Sequence, residues 1–261
     1  MPLTLDSITT GVTTRPPRIV LIGTEKIGKS TFAAQAPNPV FLPIRGEEGI
    51  DDLNVAKLPV AKTWTDVSDA IKLLITSDHD YKTLVIDSIS TLEPVVWEQV
   101  CKDAQVESIE KVGGGFGKGY TEALNKWQKL MNALDRLRDK GMGIILIGHV
   151  IVGTFNDPNS ESFSVYDTDL NKKARAALYR WADAILFANH KHSVISEDIG
   201  FNKEEKRAVS TGARYLYTQK RPAHPGGGRG AYGQIPYEMV LDYNKWQQAV
   251  AAIQNASKGE E

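Results

Sequence analysis

The sequence predicts an α/β fold on a mostly parallel sheet flanked by helices, and three observations carry that reading. Short aliphatic runs recur at Arg18–Ile22, Val40–Ile44, Thr83–Asp87, Ile144–Val150 and Ala184–Ala188. Runs that are apolar on both sides suit strands covered on both faces. Between them lie segments whose apolar residues repeat every three to four positions, the spacing of a helix with one buried face. Strands alternating with helices fold as parallel units with right-handed crossovers.

The first strand leads into Gly23-Thr24-Glu25-Lys26-Ile27-Gly28-Lys29-Ser30, followed by Thr31. This matches G-x-x-x-x-G-K-[ST], the phosphate-binding turn of nucleotide-binding proteins. Glycines let backbone N–H groups turn inward around an anion, and the helix that follows adds its dipole. Lys29 then reaches the β- and γ-phosphates, and the Ser30 hydroxyl ligates Mg²⁺. Residues 23–31 are therefore expected to hold a nucleoside triphosphate.

The second strand is followed by Glu47 and Glu48. Ligands bind beyond the C-terminal ends of strands in such sheets, so Glu47 is the first candidate to activate water and Glu48 the second. Exposed loop acids are the competing reading. Trp64, Val67, Ile71 and Leu74 mark a helix. The third strand ends on Asp87, a candidate for the Mg²⁺ shell, with Ser90 expected to cap the next helix. Leu124, Trp127, Leu130, Met131, Leu134 and Leu137 mark a longer helix, closed by Gly141.

After Ala188, residues 192–196 (HSVIS) and 214–219 (RYLYTQ) read as antiparallel strands at the C-terminal edge, joined by the charged stretch 197–207. Residues 222–236, rich in Gly and Pro, read as a flexible loop, and Tyr243–Asn255 as a last helix. Residues 1–15 are expected to be an extension, 16–241 the core, and 242–261 a short helix with a flexible tail.

The chain has 261 residues, 41% hydrophobic and 24% charged, the balance of a globular domain. No apolar stretch nears ~18 residues, so no membrane span is expected. The N-terminus lacks a basic region followed by an apolar run, so no secretory signal is expected. Cys101 is the sole cysteine, which excludes an intramolecular disulfide and fits a reducing cytoplasm. Net charge is −1, yet residues 171–230 hold twelve Lys/Arg against five Asp/Glu, a local basic excess. His190 and His192 flank Lys191 on a strand, a spacing read as poor for a shared metal site, and no metal is assigned to them.

With these landmarks in order, the chain resembles the RecA-type recombinase ATPases, most closely the short phage-encoded versions that act in single-strand annealing. The resemblance spans about Pro16 to Pro236: the phosphate turn, the Glu47 segment, TLVIDS, GGGFGKGY, IILIGHV and ALYRWADAILFAN. It implies a RecA-like P-loop NTPase fold. It also implies a catalytic Glu47, set with Ile50 and Asp51 as Glu-x-x-aliphatic-Asp. His149 stands where the cellular enzymes commonly carry a glutamine that senses the γ-phosphate and couples it to DNA. Two DNA-binding loops are implied, roughly Lys111–Tyr120 and Ile151–Lys173. The first offers Phe116, Lys118 and Tyr120, aromatics and a cation able to stack on bases and follow a backbone. The second offers Phe155, Phe163 and Tyr166 before Lys172 and Lys173. Lys220 and Arg221, with Arg229 nearby, are implied as fingers reaching a neighbouring subunit's nucleotide.

The resemblance further implies DNA-stimulated ATP hydrolysis with Mg²⁺, single-stranded DNA as partner, and a homo-oligomer, filament or ring. A single-strand DNA-binding protein is a further expected partner, in the cytoplasm of a bacterial host. The extra DNA-binding domains of cellular relatives are not seen, which favours annealing over strand exchange. Two other readings of the phosphate site stand beside this one: a P-loop small-molecule kinase and a regulatory ATPase that does not touch DNA.

Overall fold

Strand β1 (Arg18–Gly23) is buried from its second residue onward and forms the middle of the sheet. In this computed structural model, which describes residues 4–11, 13–47, 49–156, 161–198 and 204–258, β1 pairs in parallel with β5 (Gly143–Gly148) and with β8 (Ala184–Asp198). Beyond β5 lie β4 (Thr83–Asp87), β2 (Pro39–Pro43) and β3 (Ala56–Lys57), all parallel. On the other side β9 (Glu204–Tyr217) returns antiparallel to β8. β11 (Glu238–Val240) pairs antiparallel with β9, and β10 (Gly227–Gly228) with β8. The order is β11-β9-β8-β1-β5-β4-β2-β3. This is the expected RecA-like P-loop arrangement, mostly parallel with an antiparallel C-terminal edge; β5 separates the phosphate-loop strand β1 from the aspartate-bearing β4.

Alternation along β1 divides the core into two layers. Val20 and Ile22 face α2 (Trp64–Thr76), α3 (Ile89–Ala104), α4 (Lys118–Asp139) and α5 (Lys172–Trp181), which contribute Val67, Leu92, Trp127 and Leu178. Ile19 and Leu21 face α1 (Lys29–Ala34) and α6 (Tyr243–Lys258), through Phe32, Trp246 and Val250. Burying each such side chain contributes about 1.5–3 kcal/mol. α4 carries its buried residues Ala123, Trp127, Leu130, Met131, Leu134 and Leu137 at helical spacing, so one stripe faces the sheet.

Several sequence expectations are corrected here. The cap of α3 is Ser88, whose hydroxyl accepts from the Thr91 N–H at 3.2 Å; Ser90 is already the second residue of the helix. Strand β5 stops at Gly148, before His149, instead of running to Val150. Among its described residues, the stretch Ile151–Lys173 is largely regular rather than loop. It is an antiparallel hairpin of β6 (Val150–Phe155) and β7 (Phe163–Thr168), followed by a turn and the start of α5. β-branched and aromatic residues favour such pairing, and the Phe155 and Phe163 rings lie 5.4 Å apart across it. Lys118 and Tyr120 belong to the first turn of α4 rather than to the preceding glycine-rich loop.

At the C-terminal edge, HSVIS is the continuation of one long strand. β8 and β9 form an arm whose pairing runs to Asp198↔Glu204, well past Ala188, where β8 leaves β1. The stretch 222–236 includes β10 and a 3₁₀ turn at Gly230–Gly233, so part of it is regular.

Candidate functional site

Four parallel strands deliver their C-terminal ends to a cavity of about 400 Å³. Apolar burial fixes β1, and Gly23 ends it where no Cβ fits: the Ala188 carbonyl oxygen lies 2.4 Å from where that atom would sit. The chain then turns through Gly28, which has φ +106°, a conformation suited to glycine. Lys29 follows and is 6% exposed. Its Nζ donates to the carbonyls of Gly23 and Thr24, each at 2.9 Å. Burial draws the Lys29 pKa down, and the charges of Asp87, Glu47 and Glu25 only partly restore it.

Ser30 Oγ donates to Asp87 Oδ2 at 2.7 Å. Asp87 is buried at the end of β4. Burial, then the charge of Glu47, raises its pKa against the opposing Ser30 bond and Lys29 charge. The two side chains present hard oxygen donors side by side, the kind that holds Mg²⁺ together with nucleotide phosphates and water. A divalent cation would offset the charge that raises Asp87.

Glu47 follows the second strand and is held at one oxygen. Its Oε1 accepts from Ser88 Oγ at 2.5 Å and lies 2.9 Å from His149 Nε2. Burial pushes the Glu47 pKa up, but the bonds to His149 and Ser88 and the charges of His149 and Lys29 together bring it below the usual value. The carboxylate is therefore ionised at neutral pH, ready to orient water or take a proton. Glu48 lies outside the described residues.

His149 sits in the break between β5 and β6. Its N–H donates to Ser90 Oγ and its carbonyl accepts from the Asp169 N–H, both at 3.0 Å. The bond to ionised Glu47 requires Nε2 to carry the proton, and the buried Nδ1 has no partner. One residue thus touches Glu47 with its ring and both ends of the hairpin with its backbone.

The residues expected at DNA are dispersed around this end of the molecule. Phe116 is fully exposed. Lys118 Nζ donates to the Gly113 carbonyl, while Tyr120 donates to Glu110 and sets its ring edge-on to Trp97. Phe155 is 48% exposed at the hairpin, whereas Tyr166 packs against Phe187. Lys172 is exposed, and Lys173 Nζ donates to Thr121 Oγ1 at 2.7 Å. Lys220 and Arg221 do not line the phosphate cavity of their own chain. They share a second cavity, of about 740 Å³, with Phe155, Phe163 and Tyr166, and the Arg221 guanidinium lies 4.2 Å from the Tyr237 ring centre.

Sequence reasoning brought Lys29, Ser30, Glu47, Asp87 and His149 to one place, and all five line this cavity. It missed Arg214, which lines it too. The available signal was strand alternation: Arg214 and Leu216 share a face of β9, and Leu216 is buried in the α1-side core.

The AAA domain family model matches residues 15–230. No curated protein matches the chain. Among solved structures, a KaiC-like protein from the hyperthermophilic archaeon Pyrococcus horikoshii is similar at 15% identity and a TM-score of 0.40, over 82% of this chain and 84% of that one. Since the family match takes in every parallel strand and each residue described around Lys29, the chain belongs to the AAA domain family and is a P-loop ATPase domain.

Proposed function

We propose that this protein is a DNA-stimulated ATPase that binds single-stranded DNA and promotes annealing of complementary strands in phage recombination. The supporting observation is the connection through His149, whose ring bonds Glu47 and whose backbone opens the hairpin β6–β7. Lys29 binds the β- and γ-phosphates, Ser30 and Asp87 hold Mg²⁺, and Glu47 positions water and accepts its proton. Bound Mg²⁺ supplies charge neutralisation for the phosphates. A terminal phosphate arriving beside Lys29 draws on the same Glu47–His149 pair, and the hairpin shifts with it.

The hairpin presents Val152 and Phe155 at 64% and 48% exposure, and Phe116 stands fully exposed, surfaces suited to base stacking. Lys118, Lys172 and Lys173 supply phosphate contacts, with Tyr120 behind them. Lys220 and Arg221 reach the nucleotide of a neighbouring copy in a filament or ring. A single-strand DNA-binding protein is the expected partner, in the host cytoplasm; no described helix is long and apolar enough to cross a membrane.

The test measures ATP hydrolysis with and without single-stranded oligonucleotide, alongside binding across a salt series. Stimulation with a steep negative dependence of log K on log salt supports the proposal. Indifference to DNA with phosphoryl transfer to a metabolite makes the protein a kinase. Indifference to DNA with no acceptor leaves a regulatory ATPase.

A further inference from the structure

Arg214 belongs to the antiparallel arm, yet the arm's register carries it over the phosphate loop. Strand β1 ends at Gly23↔Ala188. The arm continues with Asn189↔Tyr215 and His190↔Arg214, so Arg214 stands just past the end of the strand that delivers the loop. Alternation turns it to the face of Leu216, which packs in the layer of Ile27 and Phe32. Its Nη1 comes within 3.1 Å of where a Cβ on Gly28 would sit, and Leu241 packs at 3.7 Å from the same point. A side chain at position 28 would thus meet this guanidinium.

A second contact ties the arm root to the loop. Thr24 Oγ1 lies 3.5 Å from Oδ1 of the buried Asn189, which also accepts from the His190 N–H at 2.9 Å. The backbone at Arg214 is itself held, since its carbonyl accepts from the Leu241 N–H at 3.1 Å. Against Glu25, Glu47 and Asp87, the cavity sets Lys26, Lys29 and Arg214.

We propose that Arg214 binds the phosphates of ATP held by the loop of its own chain, which makes the arm a wall of the nucleotide site. The inference rests on the reading of the cavity as an ATP site. Its chemistry is that of a planar fork presented to phosphate oxygens, which forms paired charge-assisted bonds that an ammonium cannot reproduce. The role differs from that given to Lys220 and Arg221: it acts on the same chain's nucleotide, and it comes from β9 itself, whereas those two residues lie beyond the end of that strand.

The experiment titrates the full chain with ATP and Mg²⁺ by calorimetry, for the parent, Arg214→Ala and Lys29→Ala. The expected result is affinity at least tenfold weaker for Arg214→Ala, with an unchanged melting temperature in the absence of nucleotide. Parent-like affinity in Arg214→Ala while Lys29→Ala loses binding overturns the inference alone. Undiminished binding by Lys29→Ala overturns the reading of the cavity itself. Should Arg214→Ala not fold, Arg214→Lys keeps the charge without the fork: threefold or greater weakening supports the inference and parent-like affinity overturns it. Mixing Arg214→Ala with Lys29→Ala decides which chain is served. ATP turnover equal to the sum of the two supports action within one chain, and recovery towards the parent rate overturns it.

Discussion

At the scale of single residues, Glu47 is the base in the proposed reaction, a carboxylate whose pKa is lowered by its bonds to His149 and Ser88 and by the charges of His149 and Lys29. Glu47→Gln keeps the size and the ability to accept from Ser88 but removes the base. It is expected to slow ATP turnover by about 10²–10⁴-fold while leaving ATP affinity near that of the parent, measured by steady-state hydrolysis and calorimetry. Glu93 is a perturbed acid outside the cavity. It is buried on α3, where Oε2 accepts from the Asn171 N–H at 2.8 Å and Oε1 is left without a partner. Burial, aided by the charge of Asp169 and opposed by the Asn171 bond, pushes it up to about 7. The folded protein then holds a proton that the unfolded chain releases near pH 4, so Glu93 lowers stability as pH rises from about 4 to about 7. In Glu93→Gln that decline disappears, and the variant is the more stable of the two at pH 8, as read from urea midpoints. The phosphate turn and its acids were legible because each lies in a short local pattern. Arg214 was not, because only strand pairing brings it to the loop.

Strands and helices were legible to different depths. β1, β4 and the start of β8 stood out as apolar runs, and α4 as a stripe, because burial on one or both faces writes itself into local spacing. The hairpin β6–β7 was hidden because it packs little of itself away. Ile151 and Val152 stay exposed, so no buried face marked the period. The arm was underestimated for a related reason: its outer part is charged and lies beyond the parallel strands. α4 offers the clearest test of packing at this scale. Trp127 is fully buried between the helices and the sheet. Trp127→Ala should cost about 3–5 kcal/mol in urea unfolding, by lost burial plus the cavity left behind. A loss below 1 kcal/mol would mean that the neighbouring helices close over the gap.

The whole molecule is closed by charge at the end opposite the cavity. Asp183, at the start of β8, accepts from the Arg18 N–H at 3.0 Å and from its Nη2 at 2.8 Å, and Arg138 Nη2 adds a contact at 3.0 Å. Burial raises the Asp183 pKa, but the bonds and charges of Arg18 and the charge of Arg138 outweigh it and hold the carboxyl below its usual value. A depressed carboxylate adds stability that is present above about pH 4 and lost as pH falls through the folded-state pKa. Asp183→Asn leaves Arg18, Arg138 and Arg229 facing a neutral group and should cost about 3–5 kcal/mol at pH 7. The gap to the parent should narrow below pH 4 in chemical denaturation. Arg18, Arg138 and Asp183 come from three separate segments, so their meeting follows from the strand order and no local pattern announces it.

The two bonds from the Lys29 ammonium to the carbonyls of Gly23 and Thr24 have a thermodynamic consequence. Its four-carbon stem is already immobilised before any ligand arrives, so its rotamer entropy is spent in folding and little is left to lose on capture. The turn meets its anion as a rigid receptor, and the free energy of that encounter is left for the moving parts beyond it.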